Sequence, residues 1–89
     1  MPPKNLRQLR RHIDRLDARV LALLNQRGRL ALRVGALKQR HGRRLFDPRR
    51  EQAILTRLGA LNGGPLSSAA VRAIYREILR QVRRLEQSA

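Results

Sequence analysis

Apolar residues recur at intervals of three and four from Leu6 through Leu9, Ile13, Leu16, Val20 and Leu23, and again at Leu30, Val34 and Leu37. That spacing returns side chains to one face of a 3.6-residue turn, so it predicts a single helix with a heptad-like apolar stripe. The stripe has one interruption: Arg27 stands where the next apolar residue belongs. The helix is expected from about Asn5 to His41 and should close at Gly42, a residue suited to the left-handed backbone of a helix C-terminus. Gly28 and Gly35 inside it are tolerable. At 1.5 Å rise per residue it would be about 55 Å long, whereas a compact globule of this size has a radius of gyration near ~12 Å. One small chain cannot bury so long a stripe. The pattern therefore predicts an intertwined homodimer in which long helices pack on each other.

Two shorter helices follow. In "HGRRLFDPRREQ", Asp47 is a candidate N-cap and Pro48 sits at the first helical position, where its missing N–H costs nothing. This second helix should run to about Leu61. "NGGPLSS" then reads as a turn ended by Ser67 as N-cap, and a third helix carries Val71, Ile74, Ile78, Val82 and Leu85 on one face to near Glu86. No strand alternation, repeat or low-complexity tract is present. The predicted fold class is all-α, one domain over residues 1–89 with helices at about 5–41, 48–61 and 67–87.

Composition narrows the partners. A chain of 89 residues folding alone buries only about 60 to 65% of its unfolded surface, which again favours a second copy. There is no cysteine, so neither a disulfide framework nor a thiolate metal site is available, and His12 with His41 makes a poor metal set. No apolar run approaches the roughly 20 residues that span a bilayer, and the opening "MPPKNLRQLRRH" lacks a signal-like apolar stretch; the expected compartment is the cytoplasm. A net charge of +15, almost all of it from arginine, suits a nucleic acid, an anionic membrane or a small anionic substrate. Phe46 and Tyr75 are the only aromatics, too few for base stacking, and the arginines are spread over every segment. The small anion is the expected partner, with no nucleic acid and no membrane.

Four charged residues occupy positions where a core side chain was expected. Lys38 follows Arg27 by eleven residues, so the two look out of nearly the same face of the first helix, about 20° apart. Glu51 precedes Leu55 and Leu58, and Glu86 follows Leu79 and Val82, at helical intervals. Unpaired charge is too costly to bury, so these groups meet one another, water or a ligand. An internal ion-pair set accounts for any one of them, and a long basic side chain can also snorkel outward. Their coincidence on three helices points to a polar pocket with excess positive charge, suited to an anion gripped by bidentate arginine. Lys38 and Lys4 are the only lysines, so the lysine on the pocket side reads as a compact point donor.

The segments "LRRHIDRLDARVLALLNQRGRLALRVGALK", "DPRREQAIL", "NGGPLS" and "IYREILRQVRRLE" resemble, in order and spacing, the all-helical AroQ class of chorismate mutases, especially the mutase domain that opens bifunctional mutase–prephenate dehydratase proteins. The resemblance covers roughly Leu6 to Glu86. It implies that Arg10 crosses into the partner subunit's site to grip one substrate carboxylate, while Arg27 binds the other from the same chain as the rest of the site. It implies that Lys38 donates to the ether oxygen of the breaking C–O bond, with Glu86 as second donor. Asp47, Arg50 and Glu51 match a segment whose arginine supports the carboxylate site and whose glutamate takes the ring hydroxyl. Val82 departs from a family position that is serine in some members and contacts substrate there.

Helix geometry agrees with a shared site: Arg10 and Arg27 are 17 residues apart, hence about 25 Å along the helix and about 100° around it, too far to grip one small molecule. Without the resemblance, Arg10 would read as a surface residue paired with Asp14, and Asp47 and Arg50 as a cap and a solvated first turn. The implied reaction is the unimolecular rearrangement of chorismate to prephenate, which uses no cofactor. Rival readings are an isochorismate pyruvate lyase on the same scaffold, a basic helical nucleic-acid-binding protein, and a catalytically weak regulatory module. An ionised carboxylate cannot donate a hydrogen bond, so Glu86 is expected to act protonated, with burial beside Leu79 and Val82 favouring that form.

Overall fold

The computed structural model describes residues 5–88, which form three helices and no strand: α1 over Leu6–Arg40, α2 over Pro48–Leu61 and α3 over Ser68–Ser88. The chain divides into two compact units, one up to Leu30 and one from Ala31 onward.

The first unit is a run of α1 with no core of its own. Asn5 starts it, its side-chain oxygen accepting from the Gln8 amide at 2.9 Å as an N-cap does. From Asn5 to Gln26 every side chain is exposed. The apolar stripe that the sequence predicts is present but uncovered: Leu6, Leu9, Ile13, Leu16, Val20 and Leu23 keep 47 to 61% of their surface in water, and so do Leu30, Val34 and Leu37 further on.

The second unit holds the end of α1, α2 and α3. α1 stops where the sequence placed its stop. Gly42 adopts φ +67°, and the Arg43 amide turns back to the Lys38 carbonyl at 2.7 Å, satisfying a carbonyl that the helix leaves open. α2 begins as expected, with the Asp47 side chain accepting from the Arg50 amide at 3.0 Å and Pro48 in the first turn. At the far end the turn is closed by side chains. Asn62 donates to the Leu66 carbonyl at 2.7 Å and accepts from the Gly64 amide at 3.1 Å; Ser68 reaches back to the Gly59 carbonyl at 3.1 Å. Ser67 caps α3 by accepting from the Ala70 amide at 3.0 Å.

α2 and α3 pack around Ile54, Leu55 and Leu79, with Leu58 and Tyr75 against them. This differs from the expected face of α3. The stripe through Val71, Ile74, Ile78, Val82 and Leu85 is only partly covered, and Ile74 and Leu85 remain exposed. α3 turns the neighbouring line, Tyr75 and Leu79, towards α2, because its apolar residues span two adjacent stripes and one helix partner covers only one of them. Among the described residues no helix is long and apolar enough to cross a membrane.

Candidate active site

Among the described residues no charged side chain is fully buried. Six are half-buried: Arg27, Lys38, Glu51, Arg72, Arg83 and Glu86. Four of these are the residues singled out from the sequence as charges on apolar faces. The other two, Arg72 and Arg83, were not anticipated. Arg72 has a local explanation, since its guanidinium lies across Gly59 of α2 and comes within 2.8 Å of where a Cβ would stand.

Within the second unit the helices bring several candidates to one region. Gly35, buried on α1, lies against α3: a Cβ there would lie 3.6 Å from Cβ and Cγ of Glu86 on α3, and 3.7 Å from the Leu45 side chain. One turn further along α1, the Lys38 ammonium donates to the Leu45 carbonyl at 3.1 Å. An ammonium has three N–H donors, so this bond orients Lys38 and leaves it capacity for a ligand. On α2, Glu51 faces α3, where Arg83 Nε lies 3.7 Å from its carboxylate. The Arg83 guanidinium also stacks on Phe46 of the α1–α2 connection, 4.2 Å from the ring centroid. Val82 and Glu86 are half-buried one helical turn apart on α3.

The remaining candidates are placed differently. Asp47 serves as the N-cap of α2, so its carboxylate is engaged with backbone, and the Arg50 side chain is exposed. Arg10 is exposed and Arg27 half-buried on the part of α1 in the first unit. Glu77 shows what a charge away from the site looks like. It sits nine residues before Glu86, on the opposite face of α3. Hydrogen bonds from Arg80 and Gln81 hold its carboxyl down at about 2.

Sequence reasoning missed the Leu45 carbonyl and Arg83. A backbone acceptor leaves no sequence signal. Arg83 is one of 19 arginines, though its neighbour in space, Phe46, is one of only two aromatics.

Three helices, a short capped connection and a cluster of half-buried lysine, arginine and glutamate side chains define a small all-α protein with a mixed-charge site. The chain matches the chorismate mutase type II family over residues 9–87, and it belongs to that family. It is 39% identical over 80 residues to a bifunctional chorismate mutase/prephenate dehydratase of Aquifex aeolicus, which covers 85% of this chain and 22% of that protein. A protein of the same description from Neisseria gonorrhoeae is 40% identical over 70 residues, 79% of this chain and 19% of its own. The chain thus spans about a fifth of the length of these curated relatives. Among solved structures, form II of the chorismate mutase of Thermus thermophilus superposes with a TM-score of 0.92 at 34% identity, covering 94% of this chain and 96% of that one. The chorismate mutase of Helicobacter pylori, solved with prephenate, gives 0.86 at 31% identity, covering 93% and 90%.

Proposed function

We infer that this chain catalyses the rearrangement of chorismate to prephenate, the step that leads towards phenylalanine and tyrosine. The observation that carries the inference is the similarity, over almost the whole of both chains, to a mutase solved with the product of that reaction. That the relatives are mutases favours this reading over isochorismate cleavage on the same scaffold, and the half-buried Glu51 and Glu86 favour it over nucleic-acid binding.

The rearrangement is pericyclic: one C–O bond breaks while one C–C bond forms within a single molecule, with no nucleophile and no net proton transfer. The protein has two tasks. It holds a flexible dianion in its reactive chair-like conformer, and it meets the negative charge that develops on the ether oxygen. Arg27 binds one carboxylate with a planar fork and Arg10 of a second copy binds the other. Arg50 supports the carboxylate site, beside the α2 cap formed by Asp47. Lys38, aimed by the Leu45 carbonyl, and a protonated Glu86 donate to the ether oxygen. Glu51 accepts from the ring hydroxyl, and Val82 lines the site. Loss of one ether-oxygen donor raises the barrier by about 3 to 4 kcal/mol, on the scale of an oxyanion-hole donor.

The functional unit is a homodimer of this domain. Its support is the uncovered stripe of α1 and the second stripe of α3, which leave more apolar surface in water than a monomer tolerates. Each α1 stripe packed on a second copy contributes roughly 1 kcal/mol per half-exposed aliphatic side chain.

The test is an ultraviolet assay of chorismate loss, with prephenate identified by its acid conversion to phenylpyruvate, run beside Arg27→Ala. Conversion that the substitution abolishes is the expected result. A folded protein that leaves chorismate untouched refutes the reading, and consumption of isochorismate instead selects the lyase.

A further inference from the structure

Among the described residues, Arg83 is a half-buried charge that breaks no apolar period, and its neighbours in space explain its burial. It lies between the half-buried Val82 and Glu86 on α3, and the three residues fall within about 100° of one another around the helix. Its guanidinium joins three segments. It stacks on Phe46 of the α1–α2 connection at 4.2 Å, reaches Glu51 of α2 at 3.7 Å and is itself carried by α3. Arg83 and Glu51 are each only 26% exposed, so solvent screens the pair less than it screens a surface ion pair.

We propose that Arg83 is a positioning residue for the mutase reaction, holding the Glu51 carboxylate in place and cancelling its charge beside a dianionic substrate. The proposal rests on the mutase reading and on Glu51 as acceptor of the substrate's ring hydroxyl. An unopposed carboxylate repels a dianion, and a freely rotating one accepts the hydroxyl only part of the time. Arg83 removes both difficulties. The 3.7 Å separation is a charge contact longer than a hydrogen bond, so the carboxylate keeps its acceptor capacity for the hydroxyl. Phe46 supplies the counterpart constraint: a flat guanidinium stacked on a ring keeps one plane, which an ammonium or a thioether cannot reproduce. Since the hydroxyl takes no part in bond breaking, its contact binds substrate and transition state alike, and its loss falls on KM rather than on kcat.

The experiment is steady-state chorismate turnover by wild type, Arg83→Met, Arg83→Lys, Phe46→Leu, Glu51→Gln and the Arg83→Met/Glu51→Gln double variant, each checked for helicity by circular dichroism. Arg83→Met is expected to raise KM about fivefold with kcat within about twofold, and Arg83→Lys to recover part of that loss. Phe46→Leu, which leaves Arg83 in the chain, should raise KM in the same direction by a smaller factor. In the Glu51→Gln background the further change on adding Arg83→Met should shrink to less than about twofold, because the charge that Arg83 opposes has gone. Active wild type with an unchanged Arg83→Met overturns the proposal alone. So does an equal KM penalty in both backgrounds, which would make Arg83 a direct substrate contact, or a loss confined to kcat. Inactive wild type overturns the mutase reading and this proposal with it. If Arg83→Met fails to fold, the Arg83→Lys and Phe46→Leu pair decides, and wild-type KM in both overturns the proposal.

Discussion

Mixing two inactive variants is the sharpest test of a site shared between chains. Arg10 and Arg27 both lie on α1, a continuous helix from Leu6 to Arg40, and their 17-residue separation corresponds to about 25 Å of axial rise. No dianion the size of chorismate spans that distance, so if both arginines bind substrate they come from different chains. Arg10→Ala and Arg27→Ala should each lose one or two charge-assisted hydrogen bonds, about 2 to 4 kcal/mol, and with them about 30- to 1000-fold in kcat/KM. A hybrid dimer of the two variants then contains one site with both arginines intact and one with neither. Random assortment of equal amounts makes half of the dimers hybrid, so the mixture should regain about one quarter of wild-type activity. Hybrids isolated with two affinity tags should regain about one half. Co-expression or joint refolding supplies the exchange, and the chorismate assay reads the result. If the mixture shows only the mean of the two parents, both arginines act within one chain or one of them does not bind substrate, and the shared site is refuted.

Four further outcomes follow from particular contacts. Gly35→Ala places its methyl in ordinary contact with Glu86 and Leu45, so the gain in helix propensity should raise Tm by about 5 °C with turnover retained, whereas the branched Gly35→Val should displace Glu86 and lower kcat; a destabilised alanine variant in a thermal melt contradicts this. Asp47→Ala should cost about 1 kcal/mol in thermal unfolding by removing the α2 cap, and Asp47→Asn should keep that stability, so any loss of turnover in the asparagine variant measures a role in the site apart from capping. A neutral carboxyl and a carboxamide both donate, so Glu86→Gln should keep most of the turnover and Glu86→Ala should lose it; an alanine variant as active as wild type defeats the donor role. Raising salt from about 0.05 to 0.5 M should lower kcat/KM severalfold while kcat holds, since the exposed arginines act on a dianion at long range and contact pairs do not; a salt-independent kcat/KM denies the +15 charge any part in capture.

Helix ends were legible because each carries a side chain whose chemistry is local. Asn5, Asp47 and Ser67 accept from the amide three residues on, and Gly42 takes the left-handed turn. The half-buried charges were legible for a related reason: Arg27, Lys38, Glu51 and Glu86 break an apolar period, and a broken period is visible without coordinates. What escaped depends on tertiary geometry. α3 carries two apolar stripes of similar strength, and only the packing of Leu79 against Ile54 and Leu55 shows which one meets α2. Arg83 breaks no period, since it stands beside the stripe rather than in it, and its partners Phe46 and Glu51 are remote in sequence. The Leu45 carbonyl that orients Lys38 is backbone and belongs to no residue type.

The distribution of burial ties catalysis to assembly. The second unit has its own small core and carries Lys38, Glu51, Val82 and Glu86, the groups proposed to act on the reacting end of the substrate and on its ring. The first unit has no core, yet it carries Arg10 and Arg27, the groups proposed to grip both carboxylates. An uncovered apolar stripe leaves Arg10 in water on the N-terminal part of α1, where a helix end frays. In the proposed dimer, packing that stripe on a second copy supplies the rigidity and delivers the partner's Arg10 in the same step. A pericyclic reaction gains most from such an arrangement, since its catalyst contributes restraint and fixed charge in place of reactive groups. In the proposed dimer, assembly turns scattered arginines into a binding site, and weakening the stripe, for example by Val20→Glu, should lower activity in proportion to the dimer that remains.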